Sequence, residues 1–233
     1  MGEPLNWVFS NNNMKTNYNL SNNSSVIKFV PEQRKSLPSR IDFATKFRMR
    51  VDGSSPMNKK WDEVCSLMQI PKPITSCNQP ISFKMKIEDL GMNKVGHGDD
   101  GIEFGFTKML NEEESRFARG RRMNMGLWYD TYNGGVYNYK TIPKEFVNKT
   151  ERNNVVEWRV EGVEEEDGLV KTKATLLLNN KDTGKSFLLD RTKDIHPSIY
   201  IGSRGAKVTI DVSGMGYAPT VIEYPDSTEE EGT

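Results

Sequence analysis

The chain has 233 residues, and its 32 Lys and Arg residues balance its 32 Asp and Glu residues, so the formal net charge at pH 7 is zero. This balance argues against nucleic acid as a partner, because general binding to nucleic acid requires a basic surface. No apolar run approaches the roughly 20 residues that span a bilayer. The first residues also lack the basic and apolar regions of a secretion signal, so we expect a cytoplasmic protein. The two cysteines, Cys65 and Cys77, are too few for a zinc site or a disulfide framework.

The N-terminal region predicts an arm followed by two strands. Residues 1–25 are rich in Asn and Ser, and we expect this arm to lay one short strand on the main domain. A strand is predicted at residues 26–30. Residues 43–51 predict a second strand, because apolar side chains occupy every other position.

A short helix is predicted at residues 56–70. Pro56 follows a capping serine and suits the first helical position. Trp61, Val64 and Met68 lie at helical spacing, and a proline then ends the pattern.

The centre of the chain combines strands, a second helix and a hairpin. Period-two alternation predicts strands at residues 81–88, 102–106 and 123–129. At residues 112–119, acidic residues follow a capping Asn and arginines precede a glycine, which predicts a short helix. Asn133-Gly134 is a strong hairpin signal, because both residues tolerate a positive φ.

The second half of the chain predicts strands and turns. The candidate strands lie at residues 155–163, 170–178, 187–189, 199–201 and 206–212. Strands at this spacing, with one or two short helices, predict an all-β fold, an antiparallel β-sandwich. We expect one sandwich domain over residues 26–222 and an acidic, disordered tail over residues 223–233.

In this order the segments resemble the concanavalin A-like lectin/glucanase superfamily of jelly-roll sandwiches, and within it SPRY domains most closely. Residues 101–106 (GIEFGF) are similar to an early SPRY strand. Residues 128–138 (WYDTYNGGVYN) are similar to the segment rich in Trp and Tyr that precedes a glycine turn. Residues 197–201 and 205–212 resemble the closing strands. SPRY domains are protein-binding scaffolds without cofactors, so the resemblance implies a binding module.

The sequence also departs from SPRY domains. The insertion at residues 108–122 is long for the family, and the strands around residues 164–168 lack the usual Leu-Asp-Tyr-Glu sequence. Trp158-Arg159-Val160, followed later by Ile201-Gly202, also resembles laminin-G-like sandwiches, which are the second choice.

Glycoside hydrolases belong to the same superfamily, so a catalytic carboxylate pair has to be considered. Retaining hydrolases place two carboxyl groups about 5–5.5 Å apart. Glu157 and Glu161 share one face of a predicted strand, but they would lie about 13 Å apart at about 3.3 Å per residue, with Arg159 between them. A partner carboxylate from another strand stays open, but we expect a solvated charged face, and neither enzyme activity nor a cofactor. His97 and two neighbouring aspartates lie on a glycine-rich loop, where we expect exposure to solvent rather than a bound metal.

One local cluster combines basic and aromatic side chains. Arginines at the end of the second predicted helix precede a strand and a hairpin that are rich in aromatic residues, and both residue types are enriched at interface hot spots. They can also stack on single-stranded bases. The alternative is a helix C-terminus with dipole-complementing arginines, leading into core aromatics. The candidate binding residues are Arg119, Arg121, Arg122, Trp128, Tyr129, Tyr132 and Tyr137.

We expect a non-catalytic recognition module that binds a protein or peptide partner through this loop rim. Two alternatives stay open. One is a lectin-like, glycan-binding sandwich. The other is a structural or coat subunit of a larger assembly, in which the arm at residues 1–25 ties neighbouring copies together. A homo-oligomer is compatible with each of them, and the missing secretion signal favours protein over glycan as the ligand.

Overall fold

The computed structural model describes twelve segments of the chain. They are residues 7–9, 14–19, 24–29, 66–74, 79–91, 101–110, 123–140, 142–143, 145–164, 170–190, 193–201 and 205–223. These residues form fifteen strands in two sheets, and among them only Met123 is α-helical. The predicted all-β sandwich is confirmed.

The seven-stranded sheet is antiparallel throughout. In spatial order its strands are β1 (Val8–Phe9), β4 (Ser66–Gln69), β13 (His196–Ile201), β6 (Ile102–Thr107), β7 (Gly126–Asp130), β8 (Gly135–Asn138) and β9 (Glu145–Phe146). Because β6, β7 and β8 lie side by side, the turn between β7 and β8 emerges at one end of this sheet.

The eight-stranded sheet is antiparallel except for one pair. In spatial order its strands are β12 (Lys181–Leu189), β11 (Val170–Leu178), β10 (Val155–Glu164), β5 (Ile81–Leu90), β14 (Ala206–Ser213), β15 (Thr220–Glu223), β3 (Ser24–Phe29) and β2 (Met14–Asn19). The exception is the parallel pair of β15 and β3. The strands predicted at residues 26–30, 81–88 and 155–163 are thus confirmed as β3, β5 and β10.

The main core lies between the two sheets. Along β5, buried positions alternate with more exposed ones, as period-two alternation predicts. The Phe83 ring lies 4.2 Å from that of Phe104 in the opposite sheet, and the Trp158 ring lies 5.9 Å from that of Phe106, measured between centroids. The Trp158 indole Nε1 donates a hydrogen bond to the Phe104 carbonyl at 3.0 Å. This bond joins the two sheets directly.

A second hydrophobic cluster, the outer cluster, covers the outer face of the seven-stranded sheet. It contains Leu67, Leu110, Met123, Trp128, Tyr137 and Tyr200. The connection between β6 and β7 starts at Lys108, and Gln69 holds this start. The Gln69 Nε2 donates to the Lys108 carbonyl at 2.9 Å, and its Oε1 accepts the Leu110 amide at 2.8 Å. The Thr107 hydroxyl donates to the Met125 carbonyl and holds the other end. The two ends of the connection between β6 and β7 are therefore fixed to this face of the sheet.

The helix predicted at residues 56–70 is wrong over Ser66–Gln69, which forms β4. Met68 belongs to the main core while Leu67 belongs to the outer cluster, so neighbouring side chains point to opposite faces as in a strand. Pairing with β1 and β13 provides backbone partners, and this tertiary context overrides the helical spacing. The first part of that helix, the strand predicted at residues 43–51 and the helix predicted at residues 112–119 lie outside the described residues.

The N-terminal arm contributes two strands rather than the one expected. β1 lies at the edge of the seven-stranded sheet and β2 at the edge of the eight-stranded sheet. Trp7 is 5% exposed and belongs to the main core. At the other flank of the sandwich, edge strands β9 and β12 are linked by an ion pair between Glu145 Oε2 and Lys185 Nζ at 2.7 Å. Among the described residues, no helix is long and apolar enough to span a membrane.

Candidate binding surface

The turn between β7 and β8 spans residues 131–134 and contains the predicted hairpin sequence Asn133-Gly134. Gly134 has a φ of +71° and donates its amide to the Asp130 carbonyl at 2.9 Å. The Asp130 carboxylate Oδ1 accepts the Tyr132 amide, also at 2.9 Å. The hairpin is confirmed, although four residues rather than two connect its strands.

The side chain of Asn133 holds the turn from its other side. Its Oδ1 accepts the Gly135 amide at 2.6 Å, and its Nδ2 donates to the Tyr137 hydroxyl at 3.1 Å. A bond from an Asn side chain to the backbone two residues on is the local chemistry that favours Asn in turns. Bonds on both sides therefore hold the backbone that carries Tyr132.

Residues 147–154, which connect β9 to β10, lie beside this turn. The Val147 amide donates to the Gly134 carbonyl at 2.9 Å, and the Thr150 hydroxyl donates to the Thr131 carbonyl at 3.2 Å. At the far end, the Asn153 amide donates to a carbonyl of β5, that of Ile87, at 2.7 Å. Since β5 belongs to the other sheet, this connection is fixed to both halves of the sandwich.

Tyr132 is an exposed aromatic residue of this turn, with 53% of its surface accessible. The Lys149 Nζ lies 5.7 Å from the centre of its ring, within the range of a cation–π contact. Arg152 is exposed as well, and its Nε donates to the Glu88 carbonyl at 2.9 Å. We call Tyr132, Lys149 and Arg152 the Tyr132 surface. An ordered aromatic ring beside a lysine, with an exposed arginine on the same connection, can pack on an apolar group and pair with an anion.

Tyr129 lies in the main core below this surface and is fully buried. Its hydroxyl donates to the Asn148 carbonyl at 2.8 Å. Burial raises the pKa of Tyr129 to about 12, because the phenolate would lose its hydration, while a hydrogen bond with Thr150 acts in the opposite direction.

The raised pKa of Tyr129 predicts a loss of stability at high pH. Between pH 10 and about 12 the folded protein keeps the Tyr129 proton while the unfolded chain releases it. The stabilisation is therefore complete below pH 10 and is lost as the pH rises through about 12. The difference in pKa corresponds to roughly 2–3 kcal/mol in the free energy of unfolding.

Tyr129→Phe isolates this contribution. At pH 8 we expect the variant to be about 1 kcal/mol less stable than wild type, because it lacks the bond to Asn148. Near pH 11.5 the order should reverse, since only the wild-type unfolded chain gains free energy by ionising this residue. Urea unfolding of both proteins at both pH values measures the difference. A difference that does not change with pH would contradict the assignment.

Of the four aromatic residues predicted to bind a partner, only Tyr132 is exposed. Trp128 and Tyr129 are fully buried, and Tyr137 is 4% exposed. Trp128 and Tyr137 lie in the outer cluster, and the Tyr137 hydroxyl holds the Asn133 side chain. Of these four side chains, Tyr132 is therefore the one that solvent reaches.

The three predicted arginines, Arg119, Arg121 and Arg122, lie outside the described residues. Met123, which follows them directly, precedes the start of β7, whereas Tyr132 follows its end. Five strand residues separate these ends by about 15–20 Å. The seven-residue rim stays a prediction. The cation that the structure places beside Tyr132 is that of Lys149, and Arg152 lies on the same connection, bonded to β5.

Sequence reasoning missed Lys149 and Arg152. They come from the connection between β9 and β10, which the bond between Val147 and Gly134 attaches to the turn that carries Tyr132. The available signal was the Asn-rich connection itself, whose composition is typical of an exposed turn.

Two buried carboxylates were also missed. Glu103 and Asp130 stand opposite each other on β6 and β7, and they are 2% and 1% exposed. Opposite residues on antiparallel strands have Cα atoms about 4.5–5.5 Å apart. The spacing along one strand excluded Glu157 with Glu161 and left a partner from another strand open, but it did not identify these two residues. In the structure, Asp130 holds the Tyr132 amide.

The expected solvated face of β10 is wrong at Glu157. This residue is 4% exposed and accepts a hydrogen bond from the Ser82 hydroxyl at 2.9 Å. Arg159 and Lys84 lie 3.5 and 4.0 Å from its carboxylate. Within the segments that the structure describes, no group of three or more His, Cys, Asp or Glu residues is arranged to hold a metal. The loop with His97 lies outside them.

No family model and no curated protein matches the chain. The chain is similar to a solved human SPRY domain, with 15% identity and a TM-score of 0.47 over 63% of this chain and 83% of that chain. It is also similar to peanut lectin with a 9mer peptide, with 14% identity and a TM-score of 0.40 over 64% of this chain and 78% of that chain. For winged bean acidic lectin complexed with methyl-alpha-D-galactose, the identity is 10% and the TM-score 0.33, over 59% of this chain and 70% of that chain. The likeness concerns the fold.

Proposed function

We propose that the chain is a non-catalytic recognition module that binds a protein or peptide partner through the Tyr132 surface. The observation that carries this proposal is the 53% exposure of Tyr132 on a turn that is hydrogen-bonded on both sides. An aromatic ring on a backbone that is already ordered loses little conformational entropy when it binds. Aromatic and Arg side chains are also enriched among the residues that dominate binding energies.

The polar groups around Tyr132 support a binding role. The Asp130 carboxylate accepts the Tyr132 amide, and the hydroxyls of Thr131 and Thr150 bond to backbone groups. Side chains used in this way hold the turn in position. None of these side chains is therefore assigned a catalytic role.

Replacing Tyr132 with alanine is expected to remove the partner. An anchor of this kind contributes about 2 kcal/mol or more, which is a loss of roughly thirtyfold in affinity. The measurement is quantitative capture of proteins from native extract with wild type and Tyr132→Ala. Leu188→Ala is the matched control, because Leu188 is equally exposed at 53% but lies on β12 of the other sheet.

Three outcomes would contradict the proposal. The first is a set of captured proteins that Tyr132→Ala leaves unchanged, or that Leu188→Ala reduces equally. The second is a glycan array in which wild type binds a sugar and Tyr132→Ala does not, which would favour the lectin-like alternative. The third is hydrolysis of a polysaccharide that is lost in Glu103→Gln, which would make the chain an enzyme.

A further inference from the structure

We propose that the partner presents an acidic peptide segment to the Tyr132 surface, with carboxylates that pair with Lys149 and with Arg152. This inference rests on the proposed function of that surface and adds the chemistry of the ligand. Both cations lie on the connection at residues 147–154, whose ends are bonded to the turn and to β5. Their backbone is therefore in place before a partner arrives.

Lys149 is positioned by the ring of Tyr132. Its Nζ lies 5.7 Å from the ring centroid, and the cation–π contact keeps the ammonium group beside the exposed aromatic surface. An ammonium group that contacts a ring on one side still has donors for an anion on the other, since it carries three. A ligand that packs on Tyr132 thus brings its neighbouring groups within reach of a positive charge.

Arg152 is oriented by its bond to β5. Its Nε donates to the Glu88 carbonyl at 2.9 Å, and among the described residues this is the only hydrogen bond of its guanidinium. Within the described part of the chain the two terminal nitrogens have no partner, so they can pair with a ligand. Arginine pairs well with carboxylates because its donors match the two oxygens, and an oriented side chain loses less entropy in doing so.

Glu151 lies between the two cations and reduces their effect. Its backbone amide donates to Asn154 Oδ1 at 2.8 Å, while its side chain is exposed. Two cations and one carboxylate leave one net positive charge on this connection. That small charge fits one or two carboxylates of a peptide, and it is far less than the basic surface that a nucleic acid requires.

Lys149 and Arg152 carry positive charges and Glu151 between them carries a negative one, so their variants should change affinity in opposite directions. Lys149→Gln is expected to weaken binding of an acidic peptide about three- to fivefold, and Arg152→Gln about tenfold. Glu151→Gln is expected to strengthen it about twofold, because it removes repulsion. Raising the salt concentration from about 50 to about 300 mM should weaken binding to wild type, and it should do so less for Lys149→Gln.

The probe is a displayed library of random peptides of about 12 residues, selected on the immobilised protein. Enriched peptides are then synthesised and titrated against wild type and all four variants, including Tyr132→Ala, after equal melting temperatures are established. We expect enriched peptides to carry Asp or Glu beside an apolar or aromatic residue.

Enrichment of basic or neutral peptides, failure to enrich any peptide, or tighter binding of a single-stranded oligonucleotide would overturn the inference. The same conclusion follows if Lys149→Gln and Glu151→Gln change affinity in the same direction. If these variants have no effect while Tyr132→Ala abolishes binding, the inference fails and the proposed function stands. If Tyr132→Ala also has no effect, both fail.

Discussion

Replacing Gly134 with alanine is expected to lower the free energy of unfolding by about 3 kcal/mol. Gly134 has a φ of +71°, a conformation that costs a residue with a Cβ about 1–2 kcal/mol. A Cβ at this position would also lie 2.3 Å from the Val147 carbonyl oxygen, so the turn and the neighbouring connection would have to separate. Overpacking of this kind costs about 1–3 kcal/mol more.

Gly184→Ala is the matched control for this prediction. Gly184 has a φ of +72°, but a Cβ there would meet no atom within 4 Å. The control should therefore lose only the conformational part, about 1 kcal/mol. Urea unfolding of the two variants compares them directly, and an equal loss of stability in both would show that the contact with Val147 has no energetic weight. Gly134→Ala should also weaken partner binding, because the displaced turn carries Tyr132.

The largest loss of stability is expected for Trp158→Ala, at about 4 kcal/mol. Trp158 is fully buried, and its ring lies 5.9 and 6.2 Å from those of Phe106 and Phe187. The substitution leaves a cavity and removes the bond from the indole to the Phe104 carbonyl across the sandwich. Both the cavity and the lost bond lie in the core between the two sheets.

Trp158→Phe separates the two contributions. It keeps an aromatic ring in the core but has no group that can donate to Phe104, so we expect about half the loss seen for alanine. Thermal and urea unfolding of the three proteins gives the two differences. Equal stability of Trp158→Phe and wild type would mean that the bond across the sandwich contributes nothing.

Much of the fold follows from short-range patterns, because a strand in a two-layer protein has one face toward the core and one away from it. β5 and β10 show this alternation in their residues, and they were predicted with bounds close to those observed. β4 was missed because Trp61, Val64 and Met68 also match a helical period. Its strand conformation depends on pairing with β13 and β1, which are distant in sequence.

The site was less predictable than the fold. The sequence located the hairpin and included Tyr132 among the candidates, since Asn133-Gly134 favours a turn and turns commonly lie at the surface. It did not separate Tyr132 from Trp128 or Tyr137, because exposure depends on what covers each face of a sheet. Lys149 and Arg152 could not be predicted from the sequence, because their positions depend on contacts between separate parts of the chain.

The parallel pairing of β3 with β15 constrains how the protein is made. Thr220 pairs with Ser25, so nearly the whole chain lies between the two partners. During synthesis, β2 and β3 are made before β15, so the sheet edge on which they settle forms only later. Until then the pair of strands has two open sides, because β2 is an edge strand and β3 lacks its neighbour. Other nascent strands can join either side. The growing chain must therefore keep β2 and β3 apart from other chains until β15 appears.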